Sequence, residues 1–311
     1  MRYMTDDFLN VLTNCRKSVS VNPKTHYADS YIKNIYPNEM DETHIRMFCK
    51  GGGKELYPQE AKKEKAACIF SSSMLSYNFF HWINDSNALT LDGIDYTKVV
   101  FEEQFRVLKT RNNKANLDVA LISRDGKTLL LLESKFTEHL DLNGVEIKDA
   151  YYLGDSYFEN GDKWVEVFNS LIESMEKSSG KDAYYEGLKQ VCCHLIGISG
   201  AMMNEKARRW FNHNSWIYDQ CGRKLEDFEI VLFRSLVFHP ATENDGNRSG
   251  DYEEKNRAFV KMIKEKKFLP SNLIITDPIM TYRDLWNKGM AHSVKDPDLK
   301  KYLEEYLSAH A

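Results

Sequence analysis

Three residues whose types could support catalysis surround one short turn of the chain. Asp118 precedes the dipeptide Asp125-Gly126, and Glu133 and Lys135 follow it. Asp-Gly between two apolar runs predicts a β-hairpin with a two-residue type I′ turn. In that register Asp118 faces Glu133 directly. Lys135 lies on the same face of its strand because side chains alternate along a strand.

Two carboxylates directly opposite each other have Cβ atoms about 4.5–5.5 Å apart, and their repulsion destabilises a sheet. Either one of them takes up a proton or a cation binds between them. Carboxylate oxygens suit Mg²⁺ or Mn²⁺, and the Lys135 ammonium could orient a water or stabilise negative charge on a phosphate. Since the site lies at a strand end, we expect the loss of Lys135 to reduce the rate rather than the stability. The alternative is an ion pair between Lys135 and either acid, without a function.

A third acid lies on the preceding strand, which the pattern predicts over residues 98–109. Its apolar face repeats with period two through Val99, Phe101, Phe105 and Val107. Glu103 falls on that apolar face, whereas Glu102 falls on the polar one. An acid on a buried face needs a partner, so we expect Glu103 to reach the same cleft as Asp118 and Glu133.

The remaining periodicity predicts the elements that hold this hairpin. We expect a helix over 58–83, strands over 98–109, 116–124 and 127–138, helices over 163–177 and 184–203, and a strand over 228–238. A basic helix at 256–267, a short strand at 272–276, and helices near Tyr282 and Asp296 follow. This order indicates a mixed α/β domain with a helical N-terminal extension.

Composition excludes several classes of protein. The chain has 311 residues, 42% hydrophobic and 28% charged, with a formal net charge of −4. These values are those of a globular protein, and no apolar stretch is long enough for a transmembrane helix. A cytoplasmic location is therefore expected. The net charge argues against a histone-like binder, although basic clusters near 106–114, 206–209 and 261–267 could meet a phosphate backbone.

The candidate residues and their spacing resemble the motif of the PD-(D/E)XK nuclease superfamily. Asp118 is followed by the hairpin and then by Glu133-Ser134-Lys135, which reads as E-x-K. Leu117 stands where the superfamily's name has proline. The helix containing Ser71–Ser73 and Asn78–Phe80 is similar to that of uncharacterised bacterial members, and the resemblance extends over about residues 66–240.

This resemblance implies a restriction-endonuclease-like core, with a central mixed β-sheet flanked by helices. Residues 1–65 would form the helical N-terminal extension and residues 66–311 the nuclease-like domain. Asp118 and Glu133 would bind Mg²⁺ or Mn²⁺, Lys135 would assist the attacking water, and Glu103 would match the upstream acid. DNA would be the partner and no membrane would be involved. A homodimer is expected if both strands are cut.

Two further polar residues are candidates for supporting the site or contacting DNA. Some members carry a glutamine on a helix after the third strand, and Gln190 lies on such a helix, four residues before His194 and on the same face. Gln190 could equally be a glutamine at the edge of the core, and for His194 we favour a core histidine with satisfied hydrogen bonds. Asn78, on the helix before the sheet, is the second candidate.

We therefore expect a metal-dependent endonuclease that hydrolyses DNA phosphodiester bonds, of the restriction or repair type. The alternative is a non-cleaving nucleic-acid-binding or interaction module with the same fold. A third interpretation is a structural domain whose carboxylates pair with neighbouring bases.

Overall fold

The computed structural model describes residues 6–22, 24–51, 55–57, 63–110, 113–140, 147–177 and 186–311. Its strands are β1 (Leu89–Leu91), β2 (Ile94–Arg106), β3 (Lys114–Ser123), β4 (Thr128–Lys135), β5 (Ile230–Val237), β6 (Leu273–Ile274) and β7 (Ile279–Thr281). Its α-helices are α1 (Asp6–Cys15), α2 (Glu42–Lys50), α3 (Ser72–Phe80), α4 (Gly161–Lys177), α5 (Glu186–Met203), α6 (Glu205–Asn214), α7 (Trp216–Cys221), α8 (Glu243–Glu265), α9 (Tyr282–Leu285), α10 (Ala291–Ser293) and α11 (Pro297–Leu307). A π-helical turn (Trp286–Met290) joins α9 to α10.

Seven strands of the described residues form one mixed sheet in the order β1-β2-β3-β4-β5-β6, with β7 also pairing with β5. Strands β1 to β4 are antiparallel neighbours, whereas β5 runs parallel to β4, β6 and β7. The parallel pairing of β4 with β5 requires a crossover, which α4 to α7 provide. The protein is therefore an α/β protein with a central mixed sheet flanked by helices, as the sequence predicts.

The β3–β4 hairpin has the predicted register but a different turn. Ile122 pairs with Leu129, which confirms the alignment that follows from the Asp-Gly position. In the turn itself only Gly126 has a positive φ, of 69°, whereas a type I′ turn needs a positive φ at both central residues. The Asp125 carboxylate stabilises the turn instead, because it accepts hydrogen bonds from Ser123 Oγ at 2.7 Å and from Lys127 N at 2.9 Å.

The helix predicted over 58–83 is wrong in length, because α3 begins only at Ser72. Ser71 caps it by accepting a hydrogen bond from the Met74 amide, and residues 58–62 lie outside the described residues. The preceding segment bonds to the N-terminal part of the chain, since the Asn34 side chain donates to the carbonyls of Ala66 at 2.9 Å and Cys68 at 2.8 Å. These long-range bonds occupy carbonyls that a longer helix would use.

Two other helices differ from the prediction. The basic helix predicted over 256–267 is the last half of α8, which begins at Glu243. The hydrophobic pattern also does not predict α6, whose N-cap is Asn204. In both stretches polar residues outnumber apolar ones, so hydrophobic periodicity gives a weak helical signal.

The N-terminal part of the chain packs on its C-terminal part. The Arg16 guanidinium is buried, lies 3.6 Å from the centre of the Tyr306 ring and donates to the Tyr302 hydroxyl at 2.6 Å. The division of the chain at residue 65 stays a prediction. No helix among the described residues is long and apolar enough to cross a membrane.

Candidate functional site

The hairpin brings the two predicted metal-binding acids to neighbouring positions. Val119 pairs with Leu132 at the end of the β3–β4 ladder, so Asp118 and Glu133 occupy opposite positions one residue further on. The Asp118 carboxylate turns toward β4, where it accepts a hydrogen bond from the Ser134 amide at 2.7 Å. The register and this hydrogen bond place Asp118 next to the Glu133–Ser134 segment of β4, and the close approach of the two carboxylates stays a prediction.

Strand β4 presents Glu133 and Lys135 to one face of the sheet. Ser134, between them, points to the opposite face, where its Oγ lies 2.7 Å from the Tyr282 hydroxyl of α9. Glu133 points toward α5, where His194 Nε2 lies 2.8 Å from Glu133 Oε2. The alternation predicted for this strand is therefore present.

Glu133 lies at the centre of a buried polar cluster. It is 3% exposed and Lys135 is 2% exposed, and Lys135 Nζ donates to Glu133 Oε1 and, at 2.6 Å, to Gln190 Oε1. Burial by itself would raise the pKa of the Glu133 carboxyl. The neighbouring His194 and Lys135 side chains outweigh burial and hold this pKa well below its usual range.

Helix α5 supplies two members of this cluster. Gln190 and His194 are four residues apart and lie on one helix face, as the spacing predicts. The interpretation of His194 as an ordinary core histidine missed its contact with Glu133. The i, i+4 spacing from Gln190 is the sequence signal that could have found it, once the helix is known to cover the hairpin.

Glu103, expected in the cleft, lies elsewhere, so that expectation is wrong. Its Oε2 accepts hydrogen bonds from the Ile217 amide at 2.9 Å and from Ser215 Oγ at 3.2 Å. Ser215 is the N-cap of α7. Glu103 therefore satisfies amide and hydroxyl donors at the start of α7; burial outweighs these bonds and raises the pKa of its carboxyl to about 7.

The backbone of Glu102 explains this displacement. Glu102 has a φ of +53°, in the left-handed region, which interrupts the regular alternation of β2. Phe101 consequently packs against Tyr77 of α3, with ring centres 5.5 Å apart. Phe105, of the same parity, stacks on Phe211 of α6 with ring centres 5.0 Å apart, on the other face of the sheet.

The backbone of Glu102 lies opposite Asp118, but its carboxylate contacts Ser73 of α3, on the α3 side of the sheet, whereas Glu133 faces α5. Phe101 pairs with Val119 and Glu103 with Leu117, so Glu102 lies opposite Asp118. Three adjacent strands thus carry an acid at matching positions, in the order Glu102, Asp118 and Glu133. The sequence does not predict this interruption of the strand, because glutamate rarely adopts a positive φ and a glycine or asparagine would be expected at such a position.

The surroundings of Glu102 are apolar and acidic. It is 5% exposed, and Ser73 Oγ donates a long hydrogen bond of 3.4 Å to its Oε1. Burial, together with the negative charges of Glu55 and Glu133, raises the pKa of Glu102 to about 8. Gly51 gives the carboxylate its room, because a Cβ at that position would lie 2.8 Å from Glu102 Oε2.

Asn78, predicted to support the site or contact DNA, is a buried structural residue. Its amide nitrogen donates to the Asn34 carbonyl and to the Tyr306 hydroxyl, both at 3.0 Å, and its oxygen accepts from the Tyr36 amide at 3.0 Å. It has no exposed surface. Contact with DNA is therefore excluded by its position.

The donor chemistry of the site suits a hard divalent cation. Asp118 and Glu133 offer carboxylate oxygens on adjacent strands, and Mg²⁺ commonly uses one or two carboxylates together with waters and substrate phosphates. Within the part of the chain that the structure describes, no three His, Cys, Asp or Glu side chains are already arranged to hold a metal. A cation would therefore compete with Lys135 and His194 for Glu133.

Comparison with known proteins is consistent with this architecture. The family model described as Restriction Endonuclease associating with ARP matches residues 9–192, more than half of the chain. The match includes Glu102, Asp118, Glu133, Lys135 and Gln190. The searches of curated proteins and of solved structures give no match. With a matching family model over most of the sheet and a central mixed sheet flanked by helices, the chain belongs to this family of restriction endonucleases and has a restriction-endonuclease-like fold.

Proposed function

We propose that the protein is a metal-dependent nuclease of the PD-(D/E)XK type that hydrolyses phosphodiester bonds in DNA. The observation that carries this proposal is the cluster at the end of the β3–β4 hairpin. Asp118 lies beside Glu133, and the Lys135 ammonium is held between Glu133 and Gln190. Two acids and one fixed cation match the needs of phosphoryl chemistry, in which negative charge accumulates on the phosphate.

Asp118 and Glu133 would hold Mg²⁺ or Mn²⁺. When bound, such a metal acts as a Lewis acid and lowers the pKa of a coordinated water. Lys135 would orient the attacking water and stabilise the negative charge that develops on the phosphate. Gln190, which accepts from Lys135 Nζ, would keep the ammonium aimed at the site.

Glu102 replaces Glu103 as the upstream acid in this proposal. Its backbone lies opposite Asp118, and its buried carboxyl is within the electrostatic influence of Glu133. A nearby cation favours the charged form of an acid. A metal ion bound at the site would therefore lower the pKa of the Glu102 carboxyl and favour the loss of its proton. Glu103, bonded to the start of α7, would have a structural role.

A plasmid-nicking assay tests the proposal. Wild-type protein with Mg²⁺ or Mn²⁺ should nick DNA, and EDTA should prevent it. Asp118→Asn should abolish nicking and remove the metal-dependent rise in melting temperature that ligand binding causes. Asp298→Asn, an exposed change on α11, is the matched control and should keep both.

The alternative, a non-cleaving nucleic-acid-binding module, predicts a different result. The nuclease proposal is refuted if the wild type cleaves neither single- nor double-stranded DNA and no metal shifts its melting temperature. A homodimer is part of the proposal for double-strand cleavage, since one site per chain cuts one strand. The rate of double-strand breakage should then depend on the square of the protein concentration at low concentration.

A further inference from the structure

A basic groove lies beside the candidate site and takes no part in it. Its volume is about 540 Å³, and its wall carries four lysines, Lys50, Lys114, Lys148 and Lys189. They come from separate elements of the fold, namely the end of α2, the start of β3, the segment before residue 149, and α5. The sheet and α5 together bring these four charges to one concave surface.

The groove has a strong local charge of one sign. Among the described residues that line it, none is an Asp or Glu, although the chain as a whole has a net charge of −4. Lys50, Lys114 and Lys148 are exposed to solvent. Concentrated positive charge in a concavity attracts a ligand that carries several negative charges.

Two of the lysines are held in place by aromatic rings. Lys114 Nζ lies 5.4 Å from the centre of the Trp210 ring and donates to Gln104 Oε1 at 3.2 Å. Lys50 Nζ lies 4.6 Å from the centre of the Trp216 ring. Cation–π contacts of this kind restrict a flexible side chain, so these ammonium groups are partly ordered before any ligand binds.

The groove continues directly from the acids. Gln104 pairs with Asn116 across β2 and β3, and both line the groove. Each lies two residues along its strand from Glu102 or Asp118, which corresponds to about 6.6 Å. The rise along the axis of a duplex is about 3.4 Å per nucleotide, and consecutive phosphates of one strand are further apart than this because the backbone winds round the axis, so the groove begins within about two nucleotides of a phosphate bound at the acids.

We propose that this groove binds the DNA backbone on one side of the scissile phosphate, with Lys114 and Lys148 contacting phosphates within about two nucleotides of the cleaved bond. The inference rests on the proposed nuclease function, because the acids define where the scissile phosphate lies. The lysines act as positioning residues: they hold the strand in register with Asp118 and Lys135 and do not touch the reacting atoms.

Binding measurements without cleavage test the groove itself. A fluorescently labelled DNA duplex is titrated in EDTA at several salt concentrations, with the wild type, the double variant Lys114→Ala/Lys148→Ala, and the control Lys301→Ala. Lys301 is an exposed lysine of α11. Removing one lysine–phosphate interaction should reduce the slope of log Kd against log salt by about 1. We therefore expect a reduction of about 2 in the double variant and none in the control.

A second measurement locates the bound phosphates on the DNA. Neutral methylphosphonate groups are placed one at a time along the strand, and Kd is compared between proteins. Substitution within about two nucleotides of the cleaved bond should weaken binding to the wild type several-fold and leave the Kd of the double variant unchanged.

The two proposals fail in different ways. If the double variant keeps the wild-type slope and the same response to methylphosphonates, the groove proposal is overturned, even when the wild type cleaves DNA. If binding depends on the two lysines but the wild type never cleaves, the groove is a DNA-binding surface, and both the nuclease proposal and the placement of the groove next to a cleaved bond are overturned. Melting curves of the double variant should match the wild type, since both side chains are exposed.

Discussion

Replacing Lys135 with alanine should reduce the stability of the fold as well as the rate of cleavage. The sequence suggested a strand-end lysine outside the core, and that premise is wrong, because Lys135 is 2% exposed and pairs with Glu133, which is 3% exposed. Removing one partner of a buried ion pair leaves the other charge without compensation, which typically costs about 3–5 kcal/mol.

The structure favours the lower end of that range. His194 Nε2 remains 2.8 Å from Glu133 Oε2 after the substitution, so the carboxylate keeps one partner. We therefore expect a decrease of about 3 kcal/mol in the free energy of unfolding. For a chain of this size 1 kcal/mol corresponds to about 2 °C, so the melting temperature should fall by about 6 °C.

Two variants make this measurement decisive. The double variant Glu133→Gln/Lys135→Met removes both charges, and since an apolar or neutral pair can replace a buried ion pair at little cost, it should recover most of the stability that Lys135→Ala removes. Lys127→Ala breaks the ion pair with Glu229, 2.7 Å long and more than half exposed on both sides, and should leave the melting temperature unchanged.

Differential scanning calorimetry in EDTA at pH 7 compares the four proteins without interference from metal. The reasoning is refuted if Lys135→Ala has the same melting temperature as the wild type, or if Glu133→Gln/Lys135→Met is no more stable than Lys135→Ala. Cleavage by Lys135→Ala is then assayed well below its own melting temperature, so that a reduced rate is not mistaken for unfolding.

Three further substitutions separate site residues from structural ones. The folded-state pKa of Glu102 is raised to about 8, so the folded protein keeps a proton that the unfolded chain releases near pH 4.5, and the stability that this proton contributes is lost as the pH rises toward 8. Glu102→Gln should therefore reduce the loss of unfolding free energy between pH 5 and pH 8, as measured by urea unfolding, and should make the protein more stable at pH 8. It should also lower the cleavage rate. An unchanged dependence of stability on pH would contradict this account of Glu102. Glu103→Ala should cost about 1–3 kcal/mol, because donors at the start of α7 lose their acceptor, while cleavage per folded molecule stays at the wild-type level. Asn78→Ala should destabilise the protein by a similar amount without changing Kd for DNA, and a selective loss of DNA affinity would restore its predicted role.

The hairpin and its acids could be predicted because they depend on local chemistry. Asp125-Gly126 sets the turn, the turn sets the register, and the period of two then places Asp118, Glu133 and Lys135 together. The same holds for α5, where a spacing of four residues puts Gln190 and His194 on one face. Each of these relations involves residues close in sequence.

Tertiary structure decided everything that depends on residues far apart in the chain. The positive φ of Glu102 directs Glu103 toward α7 and the Glu102 carboxylate toward Ser73 of α3, and β2 packs between α3 and α6. The burial of Lys135 beneath α5 changes it from a strand-end charge into half of a buried ion pair. The basic groove likewise exists only because the sheet and helices bring together lysines that are separated by up to 139 positions, from 50 to 189. Local patterns determine conformation and register along one segment, whereas burial, the partners of a charge and the shape of a cleft come from packing between segments, which no short pattern encodes.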